Sequence, residues 1–542
     1  MFRKTNPQIS LFEIDNVFTG ILPSEDWCYI YKEAIYPKID EEKFRHLYKK
    51  TPTGQPNKSI KKMISLLIFM GLEKLTWRGA EFQFPRRIDW MIATNTEIGD
   101  TRIDHTTLFK FYQRLEKDET ARNLFTELTG KFIKACGTSI KKQRTDSFFI
   151  HGWLQTLTRY GLFKETLRKF LHILRKKKPE LYEGIEKELS KNYLDKVFDL
   201  TEKDKVQTQK RVSTMTRDLY KIVIAFENQN EVKHYETFKT LKQVFSEQCE
   251  VRELPNNDEP EIVIKEKPDK KAINTPHNTD AQYVSKVKQH VTGEKGFSTE
   301  TCEPENKTQF ITDVNVTEAT KHDSTENSEI QERLIENDFK PEKQYDDAGF
   351  VNGKTIIESK EKEIQLEGPT AGRSQSFEAY NSDSRPLDAG DFETTCILGK
   401  DELIIHKCPA DQKPISQKRS EQTGKINVHF DPDICRLCSL KERCSVKIGK
   451  RVATYTVDEA EYIGSMRHHK YMGNKEYRKE CATRAGAEAM VSEITRAHGM
   501  RKSRHRKRTR TKLQLIFAAL ACNVKRFLRH GQNYGYLVTE AA

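Results

Sequence analysis

The sequence predicts an α/β (α+β) fold in which a strand-first core is interrupted by long helical and mixed insertions. Apolar residues recur at helical spacing over residues 41–136 and again over 456–530. Between these regions, the apolar run around Asp146 and the stretch KTQFITDVNVTEAT (307–320) have the composition of strands. A chain of 542 residues is long enough for about two to four domains with cores of their own.

Residues 1–136 are predicted to form a compact helical domain. KKMISLLIFMGLEKL (61–75) carries a broad apolar stripe, and HTTLFKFYQRLEKD (105–118) predicts an amphipathic helix with Asp104 or Thr106 as its N-cap. Two roles fit this domain equally well. It could recognise DNA ends in the manner of a helix-turn-helix, or it could serve as a scaffold for dimerisation.

The middle of the chain alternates between strand and helix signals. QRTDSFFI (143–150) predicts a short strand, and a basic amphipathic helix is predicted over LFKETLRKFLHILRKKK (162–178). Further helices are expected to about residue 250, followed by a polar, loop-like segment over 254–282. After the 307–320 strand and a helix at EIQERLIEND (329–338), the glycine in YDDAGF (345–350) indicates a turn at a strand end.

Charge and composition limit the classes of partner. A net charge of +13 favours a polyanion, and nucleic acid before a membrane surface. The N-terminus lacks the apolar segment of a signal peptide, and the longest apolar runs, of about ten residues, are too short to span a bilayer. We therefore expect a cytoplasmic protein without a membrane partner. Eleven cysteines in such a chain indicate reduced thiols or a metal site rather than a disulfide framework.

Three acidic residues far apart in the sequence stand in settings suited to a divalent cation. Asp146 adjoins an apolar strand, where a carboxylate is costly without a partner. Asp346 and Asp347 are adjacent and would face opposite ways in a strand, so only one of them can enter a site. Glu488 follows Arg484 by one helical turn, an arrangement that could orient the glutamate or could be an ordinary surface ion pair.

Helical spacing would place Glu488 on one stripe with Cys481, Arg484, Ser492 and Thr495. The small residues between Arg484 and Glu488 would let another group approach the backbone closely. Hard cations such as Mg²⁺ bind carboxylate oxygens, and two of them can clamp the attacking and leaving oxygens of a phosphodiester.

Five motifs in order resemble the bacterial insertion-sequence transposases of the DDE type, in the subgroup with an N-terminal helical domain and a cysteine-bearing insert. They are DHTTLFKFYQRL (104–115), TDSFFI (145–150), FITDVNVTEATKHD (310–323), DAGF (347–350) and RAGAEAMVSEITRAHGMRKSRHR (484–506). The resemblance covers roughly residues 40–530. It implies an RNase H-like mixed-sheet core that brings together Asp146, Asp347 and Glu488 as catalytic residues and ligands of Mg²⁺ or Mn²⁺.

The resemblance also implies an activity. A DDE transposase cleaves the ends of its element and joins them to target DNA, so the expected partners are terminal inverted repeats and target DNA, bound by a homo-oligomer at the nucleoid. Cys481 stands where relatives often carry Tyr, Thr495 where some carry Lys, and Lys507 where Gly is common. These departures leave two alternatives open: a metal-dependent nuclease without strand transfer, or a catalytically inactive DNA-binding relative.

A basic segment follows the glutamate and carries eight lysines and arginines without an acid. Such a run is suited to phosphate neutralisation, although a charge run is also common on a solvated helix face. The predicted DNA-binding residues are Arg484, Arg496, Arg501, Lys502, Arg504, Arg506, Lys507, Arg508, Arg510 and Lys512.

A cysteine cluster upstream forms a second candidate metal site. Cys435-x₂-Cys438-x₅-Cys444 with Cys408 supplies four thiols, which suits a structural Zn²⁺, with His406 as a substitute ligand. The alternative is four reduced cysteines in a small core.

We expect four regions. They are the helical domain 1–136, a first part of the core at 137–352 with an insertion at about 155–270, the cysteine-bearing insert 353–455, and a C-terminal part of the core at 456–542.

Overall fold

The computed structural model describes most of the chain. The described residues are 2–5, 11–17, 19–49, 56–153, 157–195, 205–253, 260–268, 272–286, 289–371, 376–397 and 402–536. Two pieces of the predicted polar segment, 254–259 and 269–271, lie outside them. No helix in the described part of the chain combines the length and the apolar character that crossing a bilayer requires.

The N-terminal region is helical, as predicted. Its helices are α1 Ile14–Val17, α2 Trp27–Ile30, α3 Ile60–Glu73, α4 Trp77–Gln83, α5 Ile88–Ala93, α6 His105–Leu115 and α7 Thr120–Cys136, with a π-helical turn at Tyr31–Ile35 and 3₁₀ turns at Tyr36–Lys38, Glu41–Leu47 and Phe84–Arg86. Asp104 caps α6 by accepting a 2.9 Å hydrogen bond from the Thr107 N–H, so the choice between Asp104 and Thr106 falls on Asp104.

Strand β1 (Lys142–His151) is followed by an insertion with an apolar core of its own. The insertion contains α8 Arg159–Lys177, α9 Pro179–Glu183, α10 Lys187–Leu194, α11 Lys205–Phe226, α12 Glu236–Gln248 and the hairpin of β2 Cys249–Arg252 with β3 Glu261–Ile264. Phe170 lies at its centre and contacts the rings of Phe226 and Phe238. The insertion therefore does not depend on the main sheet for its core.

The central sheet is mixed. Its further elements are β4 Gln282–Lys286, β5 Gln289–Thr301, β6 Ile311–Glu318, α13 Asp323–Glu336, β7 Lys343–Tyr345, α14 Gly353–Glu361 and β8 Gln365–Glu367. Strand β5 pairs antiparallel with β1, β4 and β6, and β1, β7 and β8 pair in parallel. The resulting order β6–β5–β1–β7–β8 puts β1 at the centre, as an RNase H-like core requires.

The cysteine-bearing insert begins later than the sequence indicates. Helix α14 and strand β8 lie within the expected insert range 353–455, yet β8 pairs with β7 in the central sheet. The strand signal of β8 is only three residues long, which is why the sequence pattern misses it. The insert itself contains α15 Phe377–Tyr380, β9 Glu393–Ile397, β10 Glu402–Lys407, β11 Ser416–Arg419, β12 Ile426–Phe430, α16 Pro432–Leu437, β13 Lys447–Ile448 and β14 Ala453–Val457.

The C-terminal region returns to helices: α17 Glu459–Gly473, α18 Lys475–Cys481, α19 Gly486–Ser492 and α20 Arg508–Tyr534. Helix α20 packs between the N-terminal helices and the sheet. Gly71 of α3 permits the crossing, because a Cβ at that position would lie 2.8 Å from the Cβ of Ala521. The buried Asn523 completes the outer edge of β6: its amide accepts from the Ile311 N–H and donates to the Ile311 carbonyl, both at 2.8 Å.

Candidate active site and DNA-binding surface

The parallel register of β1 and β7 brings the first two predicted acids to one place. Arg144 pairs with Tyr345. Because the two strands run in parallel, Asp146 lies beside Asp347, two residues further along. Burial raises the pKa of Asp146 to about 7, and the negative charges of Asp347, Asp323 and Glu488 add to this rise. A 2.7 Å hydrogen bond from the Ser147 N–H opposes it. The three predicted acids therefore converge, and Asp323 joins them.

The turn after β7 separates the two adjacent aspartates. Asp346 is fully buried and accepts hydrogen bonds from the Thr145 N–H at 3.1 Å and the Gln344 amide at 2.7 Å. Its pKa lies well above the usual range because of burial, with a contribution from the charge of Asp347. Asp347 is half-buried and accepts a 2.8 Å hydrogen bond from the Gly349 N–H. Asp347, rather than Asp346, therefore belongs to the acidic cluster.

Helix α19 carries Glu488 and docks against β1 through a glycine. A Cβ on Gly486 would lie 1.9 Å from the guanidinium of Arg144, so a larger residue there would displace that guanidinium. Arg144 passes this point to donate to the Thr483 carbonyl at 3.1 Å and to Glu300 at 2.6 Å. The predicted close approach to the small-residue run is thus confirmed. The group that approaches is an arginine of the protein itself.

The predicted common stripe through Glu488 is wrong. Cys481 and Thr495 are buried, whereas Glu488 is exposed. A 3₁₀ turn at Ala482–Ala485 and a π-helical turn at Glu493–Ala497 flank α19, and each changes the angle per residue on which the stripe depends. Arg484 is half-buried and forms no ion pair with Glu488.

Among the described residues, three of the four clustered acids lack a positive partner, whereas Asp323 pairs with Lys295. In the described part of the chain, no lysine or arginine pairs with Asp146, Asp347 or Glu488. The buried Asp313, by contrast, pairs with both Arg122 and Arg333. A group of oxygen ligands short of positive charge fits a hard divalent cation.

Two tighter groups of metal-capable side chains lie elsewhere. Within the described ranges, the ligand atoms of each lie within 4.8 Å of one another; the groups are Glu493, His498 and Cys522, and Asp388, Asp391 and His469. Both already contain bound positive charge, since Arg526 pairs with Glu493 and Arg385 with Asp391. Neither group includes Asp146, Asp347, Glu488 or a cysteine of the insert. The ligand atoms of the two predicted sites are therefore more widely spaced, and a bound cation would draw them closer together.

The basic segment 501–512 is attached to the end of β1. The His151 N–H donates to the Arg501 carbonyl at 3.0 Å, and the Ser503 N–H donates to the His151 carbonyl at 2.8 Å. Four of its basic side chains are exposed: Arg501, Lys502, Arg506 and Lys507. Arg496, just before the segment, is exposed as well. These exposed side chains can face a polyanion, and Lys502 also lies over the ring of Trp153.

The other four basic side chains of the segment bind the protein itself, which differs from the predicted phosphate contacts. Arg504 donates to the carbonyls of Lys74 and Leu75, and Arg508 to the carbonyl of Asp280. Arg510 pairs with Glu116 at 2.6 Å and Lys512 with Glu119 at 3.2 Å. These contacts join the segment to the N-terminal helices and to the sheet side, a use of the charge that sequence composition does not reveal.

The four cysteines of the insert border one cavity of about 380 Å³. They are Cys408, Cys435, Cys438 and Cys444. Burial raises the pKa of the Cys435 thiol, and the other three thiols add to the rise. The Leu440 N–H donates to Cys438 Sγ at 3.4 Å. His406 instead hydrogen-bonds Thr395 at 2.8 Å, so the structure does not support it as a substitute ligand. None of the eleven cysteines forms a disulfide.

Asp146→Asn should stabilise the metal-free protein at alkaline pH. A carboxyl whose pKa rises from 3.8 to about 7 on folding disfavours the folded state increasingly as the pH rises between these values. We expect the free energy of unfolding to increase by about 2–4 kcal/mol near pH 8 and to change little near pH 4. Urea denaturation with a chelator present measures both.

The matched control is Asp338→Asn, an exposed aspartate with a φ of 61° that asparagine also tolerates. It should show no such pH dependence. An Asp146→Asn protein that is no more stable than the parent at either pH would contradict the raised pKa of Asp146.

Comparison with protein families gives two matches. Residues 407–528 match a model described as a transposase DDE domain, and residues 21–114 match one described as a transposase domain (DUF772). No curated protein and no solved structure matches the chain. The first match spans the cysteine cluster, Glu488 and the basic segment, and the second covers the N-terminal helices. With these two matches in one chain around an RNase H-like sheet, the comparisons indicate an insertion-sequence transposase of the DDE type.

Proposed function

We propose that this transposase cleaves DNA at the ends of its element and joins the freed ends to target DNA by two-metal phosphodiester chemistry at Asp146, Asp347 and Glu488. The observation that carries the proposal is geometric: the parallel register of β1 and β7 brings Asp146 beside Asp347, and α19, which carries Glu488, packs against β1. Carboxylates gathered without lysine or arginine partners are suited to bind a divalent cation, as DDE transposases generally do.

Each acid would have a distinct part in holding the cations. Asp146, on the central strand, is fixed by the ladder and by the Ser147 N–H. Asp347 is oriented by the Gly349 N–H, and exposed Glu488 would close the site from α19. When bound, a pair of Mg²⁺ or Mn²⁺ ions supplies positive charge to the attacking and leaving oxygens of the phosphodiester. Asp146 must lose its proton for binding, so affinity should rise as the pH approaches about 7.

The exposed basic residues would hold the DNA backbone beside these acids. His151, where the basic segment joins β1, lies five residues beyond Asp146, or roughly 17 Å along the strand at the usual rise. That distance corresponds to about five base-pair steps of a duplex. Arg501, Lys502, Arg506 and Lys507 could then neutralise phosphates flanking the scissile bond, with Arg484 and Arg496 nearer to it.

The N-terminal helices would recognise the terminal inverted repeats. The match of residues 21–114 to a transposase domain supports a role in the transposition reaction. We propose that two or more copies of the chain assemble on paired element ends, because joining both ends requires them to be held together.

Strand transfer tests the proposed function. The purified protein, incubated with Mg²⁺, a duplex carrying a pre-cut element end and a supercoiled plasmid, should convert the plasmid to a joined product detectable by labelled-end transfer on a gel. Asp146→Asn and Glu488→Gln should each abolish joining, since each removes a carboxylate from the cation site. Both variants should still bind DNA.

Cleavage of uncut ends without joining would favour the nuclease alternative. DNA binding with neither activity in the wild-type protein would favour the inactive relative. Asp338→Asn serves as the matched control, because it makes the same change of side chain at an exposed position outside the site. Joining that survives in the Asp146→Asn protein would contradict the assigned site.

The double change Arg506→Ala with Lys507→Ala should weaken binding to duplex DNA and reduce its salt dependence. Both side chains are exposed, and each phosphate contact contributes about 0.9 to the slope of log affinity against log salt concentration. We expect the slope to fall by about 2. Fluorescence anisotropy over a salt series measures it.

Arg510→Ala with Lys512→Ala is the matched control for the same loss of charge. These side chains are paired with Glu116 and Glu119, so the slope should change much less. Equal losses of slope in both double variants would contradict the assignment of the exposed pair to the DNA surface.

We propose a structural Zn²⁺ at Cys408, Cys435, Cys438 and Cys444. Four thiols around one cavity, with the Cys438 sulfur accepting an N–H from two residues on, give the donor set that tetrahedral zinc prefers. Contraction to Zn–S distances of about 2.3 Å would crosslink the strands of the insert to the α16 turn.

The zinc proposal predicts one zinc per chain. Elemental analysis of the purified protein should find it, and Cys438→Ser should lose it together with thermal stability of the insert. Cys136→Ser, a half-buried cysteine of α7, should retain zinc. Wild-type protein purified without chelators that contains a small fraction of one zinc per chain would refute the site.

A further inference from the structure

A fourth carboxylate, Asp323, lies beside the acidic triad. It is the first residue of α13 and lies across Gly349 from Asp347. The side chain is buried, yet it borders an open cleft of about 770 Å³ that it shares with Phe149, Lys295 and Gly349. A cation could reach it from solvent. The sequence motif that contains it, ending in KHD, offers no sign of a ligand beyond the acid itself.

Lys295 fixes the orientation of Asp323. The Lys295 ammonium donates to Asp323 Oδ1 at 2.9 Å and to the Lys321 carbonyl at 2.7 Å, and both side chains of the pair are buried. Lys295 lies on β5 directly opposite Phe149 of β1, so the ordered strand pair sets its position. The first turn of α13 also favours negative charge at Asp323. One carboxylate oxygen is therefore anchored.

The second oxygen faces Asp347. A Cβ added to Gly349 would lie 3.0 Å from Asp323 Oδ2 and 3.0 Å from Asp347 Oδ1. The two oxygens are thus no more than about 6 Å apart, with only a glycine between the two side chains. Oxygen ligands of one Mg²⁺ lie about 3–4 Å apart at the usual metal–oxygen distances. A small inward movement would let both oxygens bind one ion.

We propose that Asp323 is a fourth acidic ligand of the metal centre, held by Lys295 so that its Oδ2 binds the same divalent cation as Asp347. This inference rests on the proposed function, since it requires a cation at the triad. It explains why a buried lysine stands next to carboxylates without pairing with the triad: Lys295 neutralises one half of Asp323 and leaves the other half for the ion.

Mn²⁺ binding tests the inference without relying on activity. Isothermal titration of the full chain with Mn²⁺, supported by the loss of the free-ion electron paramagnetic resonance signal, gives the affinity. Asp323→Asn should bind Mn²⁺ about 10- to 100-fold more weakly than the wild type, the usual effect of losing a group that supports a metal site. Asp338→Asn, at the other end of α13, should match the wild type.

Asp323→Asn also leaves the Lys295 ammonium buried without its partner, so a second variant separates folding from metal binding. Lys295→Met with Asp323→Asn removes both charges. It should melt at a higher temperature than Asp323→Asn alone and still bind Mn²⁺ weakly. Wild-type Mn²⁺ affinity in either folded variant would overturn the inference and leave the triad intact. A wild-type protein that binds no Mn²⁺ would overturn both the inference and the proposed metal centre.

Discussion

Negative charge gathered around Asp146 of the central strand is the constraint on which the rest of the structure depends. Burial raises the pKa of Asp146 to about 7, and repulsion from Asp347, Asp323 and Glu488 adds to the rise. Folding alone gains nothing from such a cluster. It persists because other contacts hold β1, the turn after β7 and α19 in place against the repulsion.

Besides the backbone ladders of β1, those contacts include a network of paired charges. Arg144 and Arg526 both bind Glu300, and Arg526 also binds Glu493 just beyond α19. This network connects β1, β5, α20 and the helix that carries Glu488. A buried amide completes the edge of the sheet. The Asn523 side chain satisfies the N–H and the carbonyl of Ile311 on β6, as a further strand would. The acids named in this network are paired, whereas Asp146, Asp347 and Glu488 have no lysine or arginine partner among the described residues.

Sequence patterns predict the elements with strong periodicity and miss what depends on short or irregular structure. The helices around 61–75 and 105–118, the strand at Asp146 and the turn in YDDAGF follow from apolar spacing and from glycine. Strand β8 is not predicted, because three residues are too few to show the alternation of apolar and polar side chains that marks a strand. The stripe through Glu488 fails because a 3₁₀ turn and a π-helical turn lie on either side of it. Asp323 needs the tertiary fold, since only the crossing of α13 and the Asp347 turn brings it to the site.

Two glycines show how a short motif can encode a tertiary contact. In Asp347-Ala348-Gly349, the glycine N–H orients the aspartate, and the missing Cβ leaves room for the Asp323 carboxylate. In the run before Glu488, Gly486 leaves room for Arg144. In neither case does a positive φ require glycine, because neither residue adopts one. The glycines leave space for neighbouring side chains. Alanine at Gly349 would displace a carboxylate, and alanine at Gly486 would displace the Arg144 guanidinium, without straining the backbone itself.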